Sequence, residues 1–169
     1  MPGAIVECGV LDGGTAALMA LCAPSRKIHL FDSWQGLPET TAKDGPAAKV
    51  WAGDIVGSQR RVKSIMTKLG VTLDRVHFHK GWFEQTFQKA NVDRVALLHI
   101  DADFYESVRL SIETWFLRLS SGGHMQFDDY GDFIGCTRAV DEFLLANQHL
   151  RLERTHDLVF YITKPSKVT

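Results

Sequence analysis

The sequence predicts a single-domain α/β protein with a doubly wound, mostly parallel β-sheet. Apolar runs rich in β-branched residues alternate with helical patterns along the whole chain, as in sheets whose strands are connected by helices on both faces. Residues 95–100 are almost continuously apolar, which is typical of a central strand that is buried on both faces. A chain of 169 residues is long enough for one core, since a domain of this size buries about 70% of its unfolded surface.

Six segments have the composition and length of β-strands. We expect these strands over residues 4–10, 27–32, 75–80, 94–101, 124–128 and 158–163. Five other segments carry apolar residues at helical spacing. We expect these helices near residues 15–21, 58–69, 84–90, 107–119 and 137–146.

The segment between Ser33 and Gly57 contains several glycines and prolines and shows little periodicity. We therefore expect a long connection between the second strand and the second helix. In compact domains, connections of this length are usually functional lids or mobile segments.

Charge and hydropathy exclude several classes of partner. The formal net charge is -1, so we expect neither a nucleic-acid partner nor attraction to an anionic membrane. No apolar run reaches the ~18 residues of a membrane span, and the N-terminus lacks the basic and apolar segments of a signal peptide. We therefore expect a cytoplasmic protein. The three cysteines are odd in number and show no CxxC spacing, so we expect them to be reduced.

The first predicted strand contains Glu7 and is followed by a turn with Gly9, Gly13 and Gly14. Glycine permits a tight turn and lets a ligand approach the backbone, and ligands of open α/β sheets bind beyond the carboxyl ends of the strands. The third glycine of the dinucleotide fingerprint GxGxxG is missing, and a carboxylate before the glycines favours a cationic ligand such as S-adenosylmethionine. An ordinary glycine turn is the alternative.

The second predicted strand ends in Asp32, about 20 positions after the glycine turn. A carboxylate at this place can accept both hydrogen bonds of a ribose diol. Together, the turn and Asp32 predict a ligand of the nucleoside type.

Four aspartates follow two neighbouring predicted strands, Asp101 and Asp103 after the fourth and Asp128 and Asp129 after the fifth. Adjacent strands lie about 4.8 Å apart, so these carboxylates can converge, and without compensation they would repel one another. Mg²⁺ or another hard divalent cation takes such oxygen ligands and keeps waters that substrate hydroxyls can replace. The alternative is that some of them cap the following helices. We expect His99 to be a core residue and not a ligand.

At this point the sequence resembles the macrocin O-methyltransferase family. The matching stretches are VECGV at 6–10 with the glycines at 13–14, FDSWQGLP at 31–38, GWF at 81–83, ALLHIDADFYES at 96–107, DDYG at 128–131 and AVDEF at 139–143. These stretches run in the family's order across nearly the whole chain.

The resemblance implies a seven-stranded, Rossmann-like class I methyltransferase fold, with one methyltransferase domain over residues 1–169. It also implies S-adenosylmethionine as donor and a Mg²⁺-dependent transfer to a hydroxyl of a sugar or similar small molecule in natural-product biosynthesis. Carried over by motif, Asp101, Asp128 and Asp129 would bind the metal, and Asp103 would be the general base.

Carried over in the same way, a further set of residues would bind the donor. Glu7, Gly9, Asp32 and Ser33 would hold its amino-acid and ribose parts, Gly13 belongs to the same turn, and Gly81 and Trp82 would lie near its adenine.

Two features depart from the family pattern. Asp12 stands where a basic residue is expected, and the helices that precede the first strand in the family have no counterpart here. We therefore expect a domain without N-terminal cap helices. The missing cap and the exposed sheet edges are also the reasons to expect a homodimer.

Three other functions remain open. A catechol-type metal-dependent O-methyltransferase would use aromatic stacking, for which the candidates are Trp34, Trp51, Trp82 and Trp115. A domain that binds S-adenosylmethionine without activity of its own is the second alternative. The third, a nicotinamide-dependent dehydrogenase, is disfavoured by the missing GxGxxG.

Overall fold

The computed structural model describes residues 1–155 and 159–166. Within these residues, seven strands form one sheet in the order β3-β2-β1-β4-β5-β7-β6. In chain order the strands are β1 (Ala4–Cys8), β2 (Ile28–Asp32), β3 (Val76–Lys80), β4 (Val95–Ile100), β5 (Leu119–Phe127), β6 (Leu152–Arg154) and β7 (Phe160–Thr163). Strands β1 to β5 pair in parallel, and β7 pairs antiparallel with β5 and β6. The predicted doubly wound, mostly parallel sheet is confirmed.

Helices cover both faces of the sheet. They are α1 (Gly14–Cys22), α2 (Gln59–Lys68), α3 (Phe83–Thr86), α4 (Tyr105–Trp115) and α5 (Ile134–Ala146). Buried residues of α1 and α2 form one apolar cluster with the sheet, and those of α4 and α5 form a second cluster. None of the helices in the described part of the chain is long and apolar enough to cross a membrane.

Two parts of the sheet differ from the prediction. Strand β5 begins at Leu119 and not at residue 124, and an irregular register there lets Leu119 pair with Val95 and His124 with Leu97. Strand β6 was not predicted, because its three residues are mostly exposed and two of them are charged. The predicted start of the last strand, Leu158, lies outside the described residues.

The helix boundaries differ in a similar way. The predicted helix over 84–90 is a short α-helix, α3, that continues as a 3₁₀ turn over Phe87–Lys89. Helices α4 and α5 each begin two to three residues earlier than predicted. By contrast, α2 begins within one residue of its predicted start. Ser58 is the N-cap of this helix, and its side chain accepts a hydrogen bond from the amide of Arg61 (3.4 Å).

The order of the strands places four strand ends side by side. Cys8, at the end of β1, pairs with Phe31 on β2 and with Ile100 on β4, and Ile100 pairs with Phe127 on β5. After β3 the chain returns across the sheet to β4, so the topological switch point lies between β1 and β4. Ligands of open α/β sheets bind in the crevice at this point.

Candidate active site

A cavity of about 360 Å³ opens at the switch point. Its volume lies in the range of small-molecule sites. Five of the predicted donor-binding residues line it, namely Gly9, Asp32, Ser33, Gly81 and Trp82. The predicted base Asp103 and the predicted metal ligand Asp101 line it as well. Glu7 and Gly13 lie outside the set of described residues that line the cavity.

Gly9 allows the ends of β1 and β4 to come close together. It has a positive φ of +87°, and a side chain there would overlap the carbonyl oxygen of Asp101. The amide of Asp101 donates to the carbonyl of Cys8 (2.9 Å), and the amide of Gly9 donates to that of Phe31 (2.9 Å). Backbone packing, in addition to any ligand, therefore requires glycine at this position.

Asp32 holds the glycine turn in place. Its carboxylate accepts hydrogen bonds from the amides of Val10 (2.8 Å), Leu11 (2.8 Å) and Trp34 (2.6 Å). The indole of Trp34 also donates to the carbonyl of Leu11 (3.0 Å). A carboxylate has roughly four acceptor sites, so three backbone bonds leave capacity for a ribose hydroxyl.

Neighbouring residues of the predicted donor site are fixed by local contacts. The Ser33 hydroxyl accepts from the amide of Gln35 (3.0 Å) and donates to the carbonyl of Gly36 (3.3 Å). The amide of Gly81, which has a φ of +139°, donates to the carbonyl of Asp32 (3.0 Å). These contacts bring the ends of β2 and β3 to the same side of the cavity.

The other residues of the first turn support the helices. Gly13 is the N-cap of α1, with a φ of +83° and the Val62 side chain packed where a Cβ would be. Asp12 accepts hydrogen bonds from the Ser58 amide (3.0 Å) and the Arg61 side chain (2.7 Å) at the start of α2. The acidic residue at 12 thus connects the turn to α2.

A buried carboxylate and a buried imidazole lie next to the aspartates. Glu7 and His99 are each 1% exposed, and His99 Nδ1 is 3.3 Å from Glu7 Oε1. On its other side, His99 Nε2 is 3.6 Å from Asp128 Oδ1. Burial alone would lower the pKa of His99, but the carboxylates of Asp128 and Glu7 raise it to about 10. His99 is a core residue, as predicted. Its contacts with the carboxylates of Glu7 and Asp128 were not predicted.

The aspartates are close enough to perturb one another. Burial, and then repulsion by Asp129 and Asp128, raises the pKa of Asp101 to about 7. Burial, and then repulsion by Asp129 and Asp101, raises the pKa of Asp103 to about 8. Burial also raises the pKa of Asp129. The contact with His99 instead lowers the pKa of Asp128. The electrostatic conflict expected of this cluster is therefore present.

The side chains do not converge in the way that the metal prediction requires. Asp129 Oδ2 accepts a hydrogen bond from the amide of Asp103 (2.9 Å), and Asp128 contacts His99. No group of three Asp, Glu, His or Cys side chains in residues 1–155 and 159–166 is arranged to hold a metal ion. The donor chemistry fits a hard cation, but the predicted ligand set of Asp101, Asp128 and Asp129 is not assembled.

Asp103 has a strained backbone. Its φ is +53°, a left-handed conformation that non-glycine residues seldom adopt, and the amide of Phe104 donates to the carbonyl of Ala102 across it (2.6 Å). Such strain costs about 1–3 kcal/mol and is concentrated at functional sites. No pattern in the sequence predicts this conformation.

The connection after β2 forms one wall of the cavity, and its individual residues were not predicted. The lining residues on this wall are Gly36, Leu37, Pro38, Glu39, Thr41, Asp44 and Ile55. Of the four candidate stacking residues, Trp34 and Trp115 are buried in the core and Trp82 lines the cavity. Gly36, Leu37 and Pro38 belong to the matching stretch at 31–38, whereas the later residues of this wall carry no local signal except the length of the connection.

Comparison with family models decides the relationship of the chain. The model for macrocin-O-methyltransferase (TylF) matches residues 1–154. The chain belongs to the macrocin O-methyltransferase family. The resemblance predicted from the motifs is thereby confirmed.

Three curated relatives of this macrocin O-methyltransferase family member are similar in sequence. They are the 8-demethyl-8-(2,3-dimethoxy-alpha-L-rhamnosyl)-tetracenomycin-C 4'-O-methyltransferase of Streptomyces olivaceus (31% identity over 153 residues), the demethyldecarbamoylnovobiocin O-methyltransferase of Streptomyces niveus (31% over 159) and the mycinamicin III 3''-O-methyltransferase of Micromonospora griseorubida (32% over 155). The alignments cover 85% of this chain and 58%, 58% and 61% of the relatives. The chain thus spans about three fifths of their length.

Solved structures agree with the fold. The O-methyltransferase NovP superposes with a TM-score of 0.89 at 28% identity, over 98% of this chain and 73% of that chain. The calicheamicin methyltransferase CalS11 superposes with a TM-score of 0.80 at 21% identity, over 96% of this chain and 72% of that chain. The predicted Rossmann-like class I methyltransferase fold is confirmed.

Proposed function

We propose that residues 1–169 are the S-adenosylmethionine-dependent methyltransferase domain of an enzyme that methylates a hydroxyl of a sugar or another polyol-containing small molecule. The observation that carries the proposal is the position of Asp103, which lines the same cavity as the glycine turn and Asp32. Family membership supports it, and the names of the three relatives describe O-methyltransferases, one of them acting on a rhamnosyl compound.

The cavity supports a division of labour among the donor-binding residues. We assign Asp32 and Ser33 to the ribose, Gly9 to the amino-acid part and Gly81 and Trp82 to the adenine, since all five line the cavity. Glu7 and Gly13 then act indirectly. Glu7 fixes His99, and Gly13 sets the start of α1.

Methyl transfer to an alcohol requires the loss of a proton. The oxygen forms a bond to the methyl carbon, the carbon–sulfur bond breaks with its electrons going to sulfur, and the hydroxyl proton must move to a base. Asp103 faces the cavity and is only 8% exposed, so water competes little for its carboxylate. Its raised pKa of about 8 makes it a stronger base than an ordinary aspartate once it is ionised.

We further propose that Mg²⁺ or another hard divalent cation binds at Asp101, Asp128 and Asp129. The mutual repulsion of the aspartates supports this, because a cation would compensate it. Asp128 and Asp129 would have to turn from His99 and from the Asp103 amide to do so. A bound cation would lower the pKa of a coordinated hydroxyl.

A methyl-transfer assay tests the proposal. The full chain is incubated with S-adenosylmethionine labelled in the methyl group and with panels of glycosides and catechols, with and without EDTA. Transfer to glycosides that EDTA abolishes is expected. Transfer to catechols alone would contradict the acceptor class, and donor binding without transfer to any acceptor would contradict the activity. Undiminished transfer in EDTA would contradict the metal.

A further inference from the structure

Asp44 lies in the connection after β2 and is 3% exposed. Its Oδ1 accepts a hydrogen bond from the amide of Tyr105 (2.6 Å), the first residue of α4. Its Oδ2 accepts from the amide (2.6 Å) and the hydroxyl (2.8 Å) of Thr41. Since the N-cap residue Phe104 provides no side-chain cap, the helix is capped by a carboxylate that is 61 positions away in the chain.

The capped end of α4 lies next to the strained residue. Asp103 is two positions before Tyr105, and its own amide donates to Asp129 Oδ2 (2.9 Å). The backbone from 103 to 105 is thus held by two carboxylates, Asp129 on one side and Asp44 on the other. Backbone strain persists only when the surrounding contacts fix it, and these two contacts come from distant parts of the chain.

Gly135 provides the space for this contact. It lies in the first turn of α5, where a Cβ would overlap Asp44 Oδ1 and would lie 2.6 Å from the amide nitrogen of Tyr105. The connection after β2, the start of α4 and the start of α5 therefore meet at one buried point.

The same connection forms a wall of the cavity through Leu37, Pro38, Glu39, Thr41 and Asp44. Its position therefore determines both the shape of the cavity and the contact that holds Tyr105. We infer that Asp44 is a positioning residue that couples the position of the connection after β2 to the backbone conformation of Asp103. The part of this inference that concerns catalysis rests on the proposed function.

A second contact between the same segments provides a matched control. Lys43 Nζ donates to the Tyr105 hydroxyl (2.6 Å) and to Glu142 (3.1 Å), and the Tyr105 hydroxyl donates to Glu142 (2.6 Å). The side chains of Lys43 and Glu142 are about half exposed, and solvent screens exposed ion pairs so that they contribute little to stability. Glu142→Gln thus loosens the connection at the surface without touching the buried cap.

The test compares Asp44→Ala, Asp44→Asn and Glu142→Gln in the full chain. In Asp44→Ala, hydrogen exchange of the Asp103 and Tyr105 amides, measured by NMR, is expected to accelerate at least about tenfold. The Tyr105 amide loses its acceptor, and the backbone at Asp103 is then held on one side only. Asp44→Asn keeps an acceptor for Tyr105 and is expected to fall between Asp44→Ala and wild type. Glu142→Gln is expected to exchange like wild type.

The kinetic expectation is a loss of kcat of about 10- to 100-fold in Asp44→Ala, with S-adenosylmethionine affinity within about twofold of wild type. Rates are divided by the fraction of molecules that bind donor, so partial unfolding alone does not lower them. Unchanged exchange at Asp103 and unchanged kcat in folded Asp44→Ala would overturn the inference. If Asp44→Ala does not fold, the same two results in Asp44→Asn would overturn it.

The two proposals fail in different ways. A wild-type chain that transfers no methyl group to any acceptor contradicts the proposed function, whereas the amide-exchange comparison is still decisive for the coupling. Methyl transfer by wild type together with wild-type exchange and kcat in both Asp44 variants contradicts the coupling alone.

Discussion

Two clusters of like ionisable side chains are packed into this domain, and burial shifts their pKa values in opposite directions. On β2 and β3, the ring of His29 stacks 4.5 Å from His77 and 5.3 Å from His79, and His29 Nδ1 lies 3.0 Å from His79 Nε2. Burial, and then the neighbouring His77 and His79, lowers the pKa of His29 to about 4. His29 is therefore neutral at pH 7, and it can share a hydrogen bond with His79.

The pKa values of the two aspartates that follow β4 shift in the opposite direction. Burial and mutual repulsion raise the pKa values of Asp101 and Asp103 to about 7 and about 8. A protonated Asp103 could not accept a proton from a substrate. An ionised Asp103 is needed for the proposed base, whereas the histidine cluster can stay neutral, and this difference is why we propose a cation for the aspartate cluster.

The largest expected effect is that of removing the base. Asp103→Asn is nearly isosteric and is expected to lower kcat by about 10²- to 10⁴-fold, because a general base contributes about that factor. Binding of S-adenosylmethionine, measured by calorimetry, is expected to stay within about threefold of wild type. Unchanged turnover would remove Asp103 from the mechanism, and Glu142→Gln is the control at a site outside the cavity.

The next largest effect concerns the contact between the aspartate cluster and the core. Burial raises the pKa of Glu7, and the contact with His99 opposes this rise. His99→Gln leaves the buried Glu7 carboxyl group without this partner, and breaking a buried pair costs about 3–5 kcal/mol. Urea unfolding is expected to show a loss in this range. The double variant Glu7→Gln/His99→Gln is expected to recover part of it. Equal stability of His99→Gln and wild type would contradict the ion pair.

A smaller effect is expected for Asp129. Asp129→Ala removes a proposed metal ligand and the acceptor of the Asp103 amide. We expect Mg²⁺ affinity to fall by about tenfold or more, since even residues that only support ligands change it by 10- to 100-fold. Isothermal titration measures this. Equal Mg²⁺ affinity in the variant and in wild type would show that the proposed ligand set is wrong.

The smallest effect is expected in the histidine cluster. The pKa of His29 is about 4 in the folded chain, whereas an ordinary histidine has a pKa of 6.5, so unfolding takes up protons between these two values. The stabilising contribution is complete above pH 6.5 and declines as the pH falls towards 4. The free energy of unfolding, measured with denaturant as a function of pH, is expected to change more steeply in wild type than in His29→Phe. Identical slopes would contradict the buried neutral histidine.

Local patterns of the sequence predicted the sheet and much of the site. The apolar run Val95–Ile100 identifies β4, and its neighbour β5 follows from the alternation of strands and helices. Because the carboxyl ends of neighbouring parallel strands meet at one edge, Asp101 and Asp128 could be placed near each other without a structure. The glycine turn and Asp32 were placed beside the cavity for the same reason.

Contacts between distant residues could not be predicted in this way. The cap that Asp44 provides for α4 spans 61 positions, and the contact of Glu7 with His99 depends on the pairing of β1 with β4. The positive φ of Asp103 is fixed by tertiary contacts and not by its residue type. Strand β6 has only three residues, two of them charged, and its sequence shows no strand pattern. It forms a strand because it pairs with β7.

The cation site that we propose at Asp101, Asp128 and Asp129 lies at the carboxyl edge of the sheet, beside the cavity in which we propose that methyl transfer occurs. Titration of the isotope-labelled full chain with Mn²⁺, a paramagnetic hard cation, tests it directly by NMR. The amide signals of Asp101, Asp103 and Asp129 are expected to broaden before any others, and Mg²⁺ is expected to restore them. The proposed site would be contradicted if Mn²⁺ broadened other signals while these three stayed sharp. It would also be contradicted if these three signals stayed sharp at saturating Mn²⁺.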